Sequence, residues 1–128
     1  MKRISVCVLG ATGLVGQQFV RILTNHPYFE LSLLVASQRS AGMRYEDATE
    51  WAVSDKMPDC VRDMPISDLN TESIVATNTS VAFSALPAAV SSKVEVDLAK
   101  SGVRVFSNSS SHRMDPHTPI LIPEINPD

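Results

Sequence analysis

Apolar residues fall along this chain in short runs separated by turns that carry glycine or proline. Ile4-Ser5-Val6-Cys7-Val8-Leu9 is apolar at every position but one and rich in β-branched side chains. That is the pattern of a strand covered on both faces of a parallel sheet, where neither face is left to water. After Gly10-Ala11-Thr12-Gly13 the period changes. Val15, Phe19, Ile22 and Leu23 recur at helical spacing, and Asn25-His26-Pro27 ends the helix because the residue before a proline is pushed out of the α region. Leu31 to Ala36 is a second apolar run. The opening therefore predicts strand, glycine-rich turn, helix, strand, which is a βαβ unit.

From Ser37 to about Asn78 the chain is polar, contains Pro58 and Pro65, and shows weak periodicity. Irregular connections are expected there, with a short helix near Glu46 to Ala52 and an edge strand around Cys60 to Met64. Val81 to Leu86 restores the buried-strand pattern. Pro87 suits a first helical position, Val90, Val94 and Leu98 repeat every four residues, and Gly102 sits where a left-handed glycine closes a helix. Val103 to Phe106 forms another short strand and Ile120-Leu121-Ile122 a last one. Two strand-helix-strand units in one chain predict a doubly wound α/β fold, a mostly parallel sheet with helices on both faces, occupying residues 1–128 as one domain. The sequence stops at Glu124-Ile125-Asn126-Pro127-Asp128 without a closing helix, which reads as a cut through a longer chain.

Length supports this reading, since 128 residues can bury one core without disulfide or metal staples. The formal charge of −3 argues against a nucleic-acid partner, and eight of the 14 acidic residues lie between Glu46 and Glu72, where they would repel a polyanion. The apolar run after Lys2-Arg3 is too short for a signal-peptide core or a membrane span, so no membrane partner is expected and the chain reads as cytoplasmic. Cys7 and Cys60 share no CxxC or His spacing, which excludes a metal-site pattern and leaves two free thiols. Cys7, inside the first strand, reads as a core side chain.

Three segments carry chemistry. Gly10, Gly13 and Gly16 form a GxxGxxG turn between a predicted strand and a predicted helix, the context in which glycines let main-chain amides approach a diphosphate. Its alternative is a tight strand-to-helix turn without a ligand. At the end of the second strand, Ser37-Gln38-Arg39-Ser40 places two hydroxyls and a guanidinium where an NAD site usually has a carboxylate. That composition favours the 2′-phosphate of NADP, against the alternative of a solvated surface arginine. Ser107-Asn108-Ser109-Ser110-Ser111-His112-Arg113 follows a strand end, where open α/β sheets bind ligands. By composition alone it is an ordinary hydrophilic loop.

Taken together, Gly10 to Gln17, His26-Pro27 with Phe29-Glu30-Leu31, Ala36 to Gly42, Phe83-Ser84-Ala85-Leu86-Pro87, and Ser107-Asn108 through Arg113-Met114 to Ile122-Pro123-Glu124-Ile125-Asn126 resemble the N-terminal NADP-binding portion of aspartate-semialdehyde dehydrogenase. The likeness is to the archaeal and fungal branch, and the acidic middle matches least. The resemblance implies a Rossmann-like fold and an oxidoreductase that reduces β-aspartyl phosphate to aspartate semialdehyde with NADPH, reversibly and with release of phosphate. That reaction lies on the route to lysine, methionine and threonine.

It further implies that Gly10, Thr12, Gly13, Leu14, Val15 and Gly16 hold the cofactor phosphates, and that Ser37, Arg39 and Ser40 hold the 2′-phosphate. Ser84, Ala85 and Leu86 would line the pocket towards the nicotinamide with Asn108 beside them, and Arg113 would bind the substrate phosphate. The family's nucleophilic cysteine and acid/base histidine follow the Pro-Glu-Ile-Asn segment, so no catalytic residue is expected among these 128 and the segment alone is expected to be inactive. The catalytic and dimerisation domain of the family would be absent from this chain, and the full enzyme would be a homo-oligomer.

Rivals remain open at this point. N-acetyl-glutamyl-phosphate reductase and malonyl-CoA reductase share the glycine turn, and a stand-alone non-catalytic nucleotide-binding domain fits the short length. Extended short-chain reductases need a Tyr-x-x-x-Lys pair, whereas Tyr28 and Tyr45 are followed four positions on by Ser32 and Thr49.

Overall fold

The computed structural model describes residues 2–110 and 115–120. Its sheet has five parallel strands in the order β3-β2-β1-β4-β5: β1 Ile4–Leu9, β2 Phe29–Val35, β3 Ile66–Ser67, β4 Val81–Ser84 and β5 Arg104–Ser107. The connections are α1 Leu14–Leu23 between β1 and β2, α2 Tyr45–Ala48 and α3 Asp59–Arg62 between β2 and β3, α4 Thr71–Ala76 before β4, and α5 Ala88–Lys100 before β5. Chain progression runs outward from β1 to β3 and then restarts at β4 on the other side. A crevice therefore opens at the carboxyl ends of β1 and β4, the switch point where doubly wound sheets take ligands.

Successive side chains of β1 enter opposite layers, as period-two geometry requires. Val6 and Val8 join α1 and the α2–α3 segment through Val20, Leu23, Tyr45 and Val61. Cys7 and Leu9 join α4 and α5 through Ile74, Leu98 and Val103. The sheet is thus covered on both faces, as its unbroken apolar pattern predicts. The α5 terminus closes as a Schellman motif: Gly102 has φ +93°, the Val103 N–H donates to the Leu98 carbonyl (3.0 Å) and the Gly102 N–H to the Ala99 carbonyl (3.1 Å).

The structure corrects several expectations. Strand β2 begins two residues earlier than Leu31. Residues 59–62 form a helical turn where an edge strand around Cys60 to Met64 was expected: Pro58, with φ −56°, stands at the N-cap position and Asp59 suits the first turn. The edge strand is Ile66–Ser67, just after Pro65. Helix α2 is confined to Tyr45–Ala48 instead of running to Ala52. The stretch expected to be irregular also holds α4, whose Asn70 side chain accepts the Ser73 N–H (3.1 Å). Pro87 is the cap of α5, one position before the first helical residue.

Both long helices bury only part of the apolar face: Leu23 and Leu98 are buried and Phe19 and Val94 pack against the core, while other members of each face are exposed. Helix α1 buries Gly16, Gln17, Val20 and Leu23, with Val15 43% and Ile22 56% exposed. Helix α5 buries Ser91, Glu95 and Leu98 and leaves Val90 exposed. Ile120 lies outside any strand. Leu121, Ile122 and the segment to Asp128 lie outside the described residues.

Candidate nucleotide-binding site

The turn after β1 is clamped to both neighbouring strands. Gly10 and Ala11 donate their N–H groups to the Val35 carbonyl at the end of β2 (2.9 and 3.0 Å), and Leu9 accepts from the Ala85 N–H just past β4 (2.8 Å). Gly10 has φ +78°, and a Cβ there would meet the Ala85 carbonyl oxygen at 2.7 Å. A Cβ on Gly16 would lie 1.9 Å from the Gly10 oxygen, so α1 rests directly on the turn. Backbone geometry thus requires glycine at both positions.

Gly13 differs. Its φ of −80° suits any residue, and a Cβ would meet only the Gly10 oxygen, at 3.8 Å. Among the described residues nothing demands glycine there. What the missing side chain leaves is an open approach to the first turn of α1. The N–H groups of Leu14, Val15 and Gly16 precede the first helical bond, which runs from Gln17 to the Gly13 carbonyl (2.8 Å). Among the described residues no side chain caps this end, and no acidic residue stands in its first turn. Unpaired amides and the partial positive charge of the helix axis make this a receptor for an anion.

Beside it, the chain leaves β2 through a 3₁₀ turn over Gln38–Ser40, with the Ser40 N–H donating to the Ser37 carbonyl (2.9 Å). Leu9 and Val35 are register partners, so this turn and the glycine turn emerge side by side at one sheet edge. Ser37 and Arg39 are exposed and Ser40 is half-buried. Among the described residues Arg39 makes no ion pair.

Ser84 is fully buried and donates its hydroxyl to Glu95 Oε2 of α5 (2.6 Å), and Leu86 is buried in the same layer. Both side chains turn inward with the strand's alternation, and Ala85 between them is half-buried. Ser107, the register partner of Ser84, donates to the same Glu95 oxygen (2.7 Å), and Ser91 and Ser109 share a 2.7 Å hydrogen bond. This polar seam fastens α5 under the loop that carries Asn108. Asn108 itself is exposed at the carboxyl end of β5, held by its N–H donating to the Ser84 carbonyl (2.9 Å). Arg113, with Ser111, His112 and Met114, lies outside the described residues.

Gln17, Tyr45, Ser91 and Glu95 are structural parts of the site for which sequence analysis assigned no role. One signal was available for three of them: a polar side chain on the same helical stripe as a buried leucine or valine. Gln17 lies three residues before Val20, and Ser91 and Glu95 lie in register with Leu98.

The two cysteines differ in setting: Cys7 is buried and Cys60 exposed, and both are free thiols. Burial in β1 pushes the Cys7 thiol up to about 12, which holds it protonated and unreactive at neutral pH. Cys60 is exposed on α3, within the β2–β3 connection. His26 closes the α1–β2 connection, its Nδ1 accepting the Tyr28 N–H (3.1 Å), and His117 is exposed. Among the described residues no cluster of His, Cys, Asp and Glu could hold a metal ion, and no helix is long and apolar enough to cross a membrane.

The profile of the semialdehyde dehydrogenase, NAD binding domain family matches residues 5–128. The aspartate-semialdehyde dehydrogenase of Methanothermobacter thermautotrophicus is 46% identical over 125 residues, which is 98% of this chain and 35% of that enzyme. The Saccharomyces cerevisiae enzyme of the same name is 38% identical over 121 residues, 94% of this chain and 33% of its own length. The chain therefore spans about a third of the curated relatives it matches. In structure it resembles the Candida albicans aspartate-semialdehyde dehydrogenase with NADP, with a TM-score of 0.92 at 36% identity over 98% of this chain and 35% of that one. With a profile match over nearly its whole length, the chain belongs to the semialdehyde dehydrogenase, NAD binding domain family.

Proposed function

We propose that this chain is the NADP-binding portion of an aspartate-semialdehyde dehydrogenase, an enzyme that reduces β-aspartyl phosphate to aspartate semialdehyde with release of phosphate, reversibly. The observation that carries the proposal is the uncapped amino end of α1 beside Gly13, where among the described residues a Cβ would meet only the Gly10 oxygen, at 3.8 Å. Such a cradle suits the diphosphate of a dinucleotide. The amides from Thr12 to Gly16 would hold that group, with Gly10 keeping the turn close to β4. Exposed Arg39, with the hydroxyls of Ser37 and Ser40, would hold the 2′-phosphate that distinguishes NADP from NAD. Likeness to a Candida albicans relative solved with NADP supports the same choice.

When bound, the nicotinamide supplies the hydride. This chain's own residues would bind and orient. Ala85 and the main chain of residues 84–86 would floor the crevice, Asn108 would stand at its β5 side, and Arg113 would anchor the substrate phosphate through a paired, charge-assisted contact. The nucleophilic cysteine and the acid/base histidine would come from outside these 128 residues, since Cys7 is buried and protonated and Cys60 lies in the β2–β3 connection. The catalytic and dimerisation domain would likewise be contributed by another segment, and the whole enzyme would be a homo-oligomer. Two unpaired thiols fit a reducing, cytoplasmic setting.

Separate titrations of the chain with NADPH and NADH, followed by nicotinamide fluorescence, test the proposal. NADPH is expected to bind more tightly than NADH. Binding of neither overturns it.

A further inference from the structure

Tyr45 comes from the connection between β2 and β3, far in sequence from the glycine turn, yet its hydroxyl donates to the Ala11 carbonyl at 2.7 Å. The ring is 0% exposed, in the layer beneath α1. Its main chain is fixed as well: the Tyr45 N–H donates to the Met64 carbonyl (2.9 Å), next to an antiparallel bridge between Arg44 and Pro65. The hydroxyl is therefore delivered from a rigid base.

Gln17 holds the following peptide. Its Nε2 donates to the Thr12 carbonyl (2.9 Å) and to the Glu50 carbonyl (3.1 Å), and its Oε1 accepts the Ala52 N–H (2.9 Å). Both amide hydrogens and the oxygen are used, which leaves the side chain no alternative orientation. The Gly13 N–H, on the other end of that peptide, donates to the Gly10 carbonyl (3.3 Å).

The C=O and N–H of a trans peptide point in opposite directions, and this chain has no cis bond among its described residues. With the Ala11 carbonyl drawn inward to Tyr45, the Thr12 N–H of the same peptide is turned out of the core. It makes no hydrogen bond among the described residues. We infer that Tyr45 is a positioning residue for cofactor binding: by holding the Ala11 carbonyl inward, it aims the Thr12 amide at the dinucleotide diphosphate, while Gln17 fixes the next peptide through the Thr12 carbonyl. The inference rests on the nucleotide-binding proposal above and adds the device that preorganises the turn. Without it, each binding event would have to order a free peptide.

Tyr45→Phe removes one oxygen and keeps the ring. In the variant, NADPH and NADH are expected to bind at least tenfold more weakly, by the same factor, because the diphosphate is common to both. The Thr12 amide resonance, which shifts on NADPH addition in the unaltered chain, is expected to shift less in the variant at saturation. A purely structural tyrosine would lower the unfolding temperature and leave both readouts unchanged, and that result overturns the inference while the nucleotide-binding proposal stands. An unaltered chain that binds neither nucleotide overturns both. Amide exchange on the unaltered chain needs no variant: the Gly10 and Ala11 amides should be protected with or without NADPH, and the Thr12 amide only with it. A Thr12 amide protected in the free chain, or exchanging freely with NADPH bound, overturns the inference.

Discussion

Alanine at Gly16 and alanine at Gly13 separate what the fold requires from what a ligand requires. At Gly16 the new Cβ would stand 1.9 Å from the Gly10 oxygen, 2.8 Å from the Gly10 carbonyl carbon and 2.9 Å from Ala11 Cα, all of them main-chain atoms without a rotamer to change. Relief needs α1 to withdraw by roughly 1.3 Å or more, which opens contacts across the layer holding Val20 and Leu23. Overpacking of this kind costs about 1–3 kcal/mol, or more where backbone must move. For a domain of this size that lowers the unfolding temperature by about 3–5 °C per kcal/mol.

At Gly13 the backbone conformation suits alanine. The reduced freedom of the unfolded chain contributes about 0.4–1 kcal/mol, and alanine in place of glycine at a helix cap costs a similar amount. Stability should change by no more than about 0.5 kcal/mol. Binding should respond differently: a methyl group in the cradle would displace charge-assisted hydrogen bonds worth about 1.5–3 kcal/mol, a tenfold or greater loss of NADPH affinity. Thermal unfolding and fluorescence titration of both variants supply the four numbers. Gly13→Ala with unaltered NADPH affinity would refute the reading of that open approach as a phosphate cradle, and a Gly16→Ala chain as stable as the parent would refute the close helix–turn packing.

Four further outcomes are expected. Arg39→Ala should weaken NADPH more than NADH; equal losses measured by titration would remove the 2′-phosphate role. Glu95→Ala strands the buried Ser84 hydroxyl and releases Ser107, so denaturant unfolding should show a loss of about 1–3 kcal/mol, and a loss below about 0.5 kcal/mol would contradict the seam's role. The folded Cys7 thiol, raised from 9.0 to about 12, retains its proton where the unfolded chain loses it. Its contribution is therefore full below pH 9 and declines as pH rises towards 12, and urea midpoints between pH 8 and 11 should fall less steeply in Cys7→Ala. The chain alone should show no phosphate-dependent oxidation of aspartate semialdehyde, and a measurable rate would place the nucleophile within these residues.

The parts of the fold legible in the sequence are those whose signal does not depend on which side is buried. Strands β1 and β4 are apolar on both faces, so no choice of face had to be made. Helices α1 and α5 were legible in extent and their buried stripes in part, through Phe19, Leu23, Val94 and Leu98. Apolar spacing pointed also to Val15, Ile22 and Val90, which are exposed, whereas close approach to the turn selects Gly16, and hydrogen-bonded polar partners bury Gln17, Ser91 and Glu95. The β2–β3 connection was hardest, because its helices are four residues long and β3 only two, too short for any period to register. The site shows the same division. Gly10, Gly13, Gly16 and Arg39 could be singled out by local context, while Tyr45 reaches the turn across 34 positions and no local pattern announces it.

A structure of the chain determined with NADPH tests the central claim most directly. The account predicts the diphosphate oxygens within hydrogen-bonding distance of amides between Thr12 and Gly16, and Arg39 against the 2′-phosphate. A nucleotide seated away from the β1–α1 turn, or Arg39 directed to solvent in that complex, would contradict it.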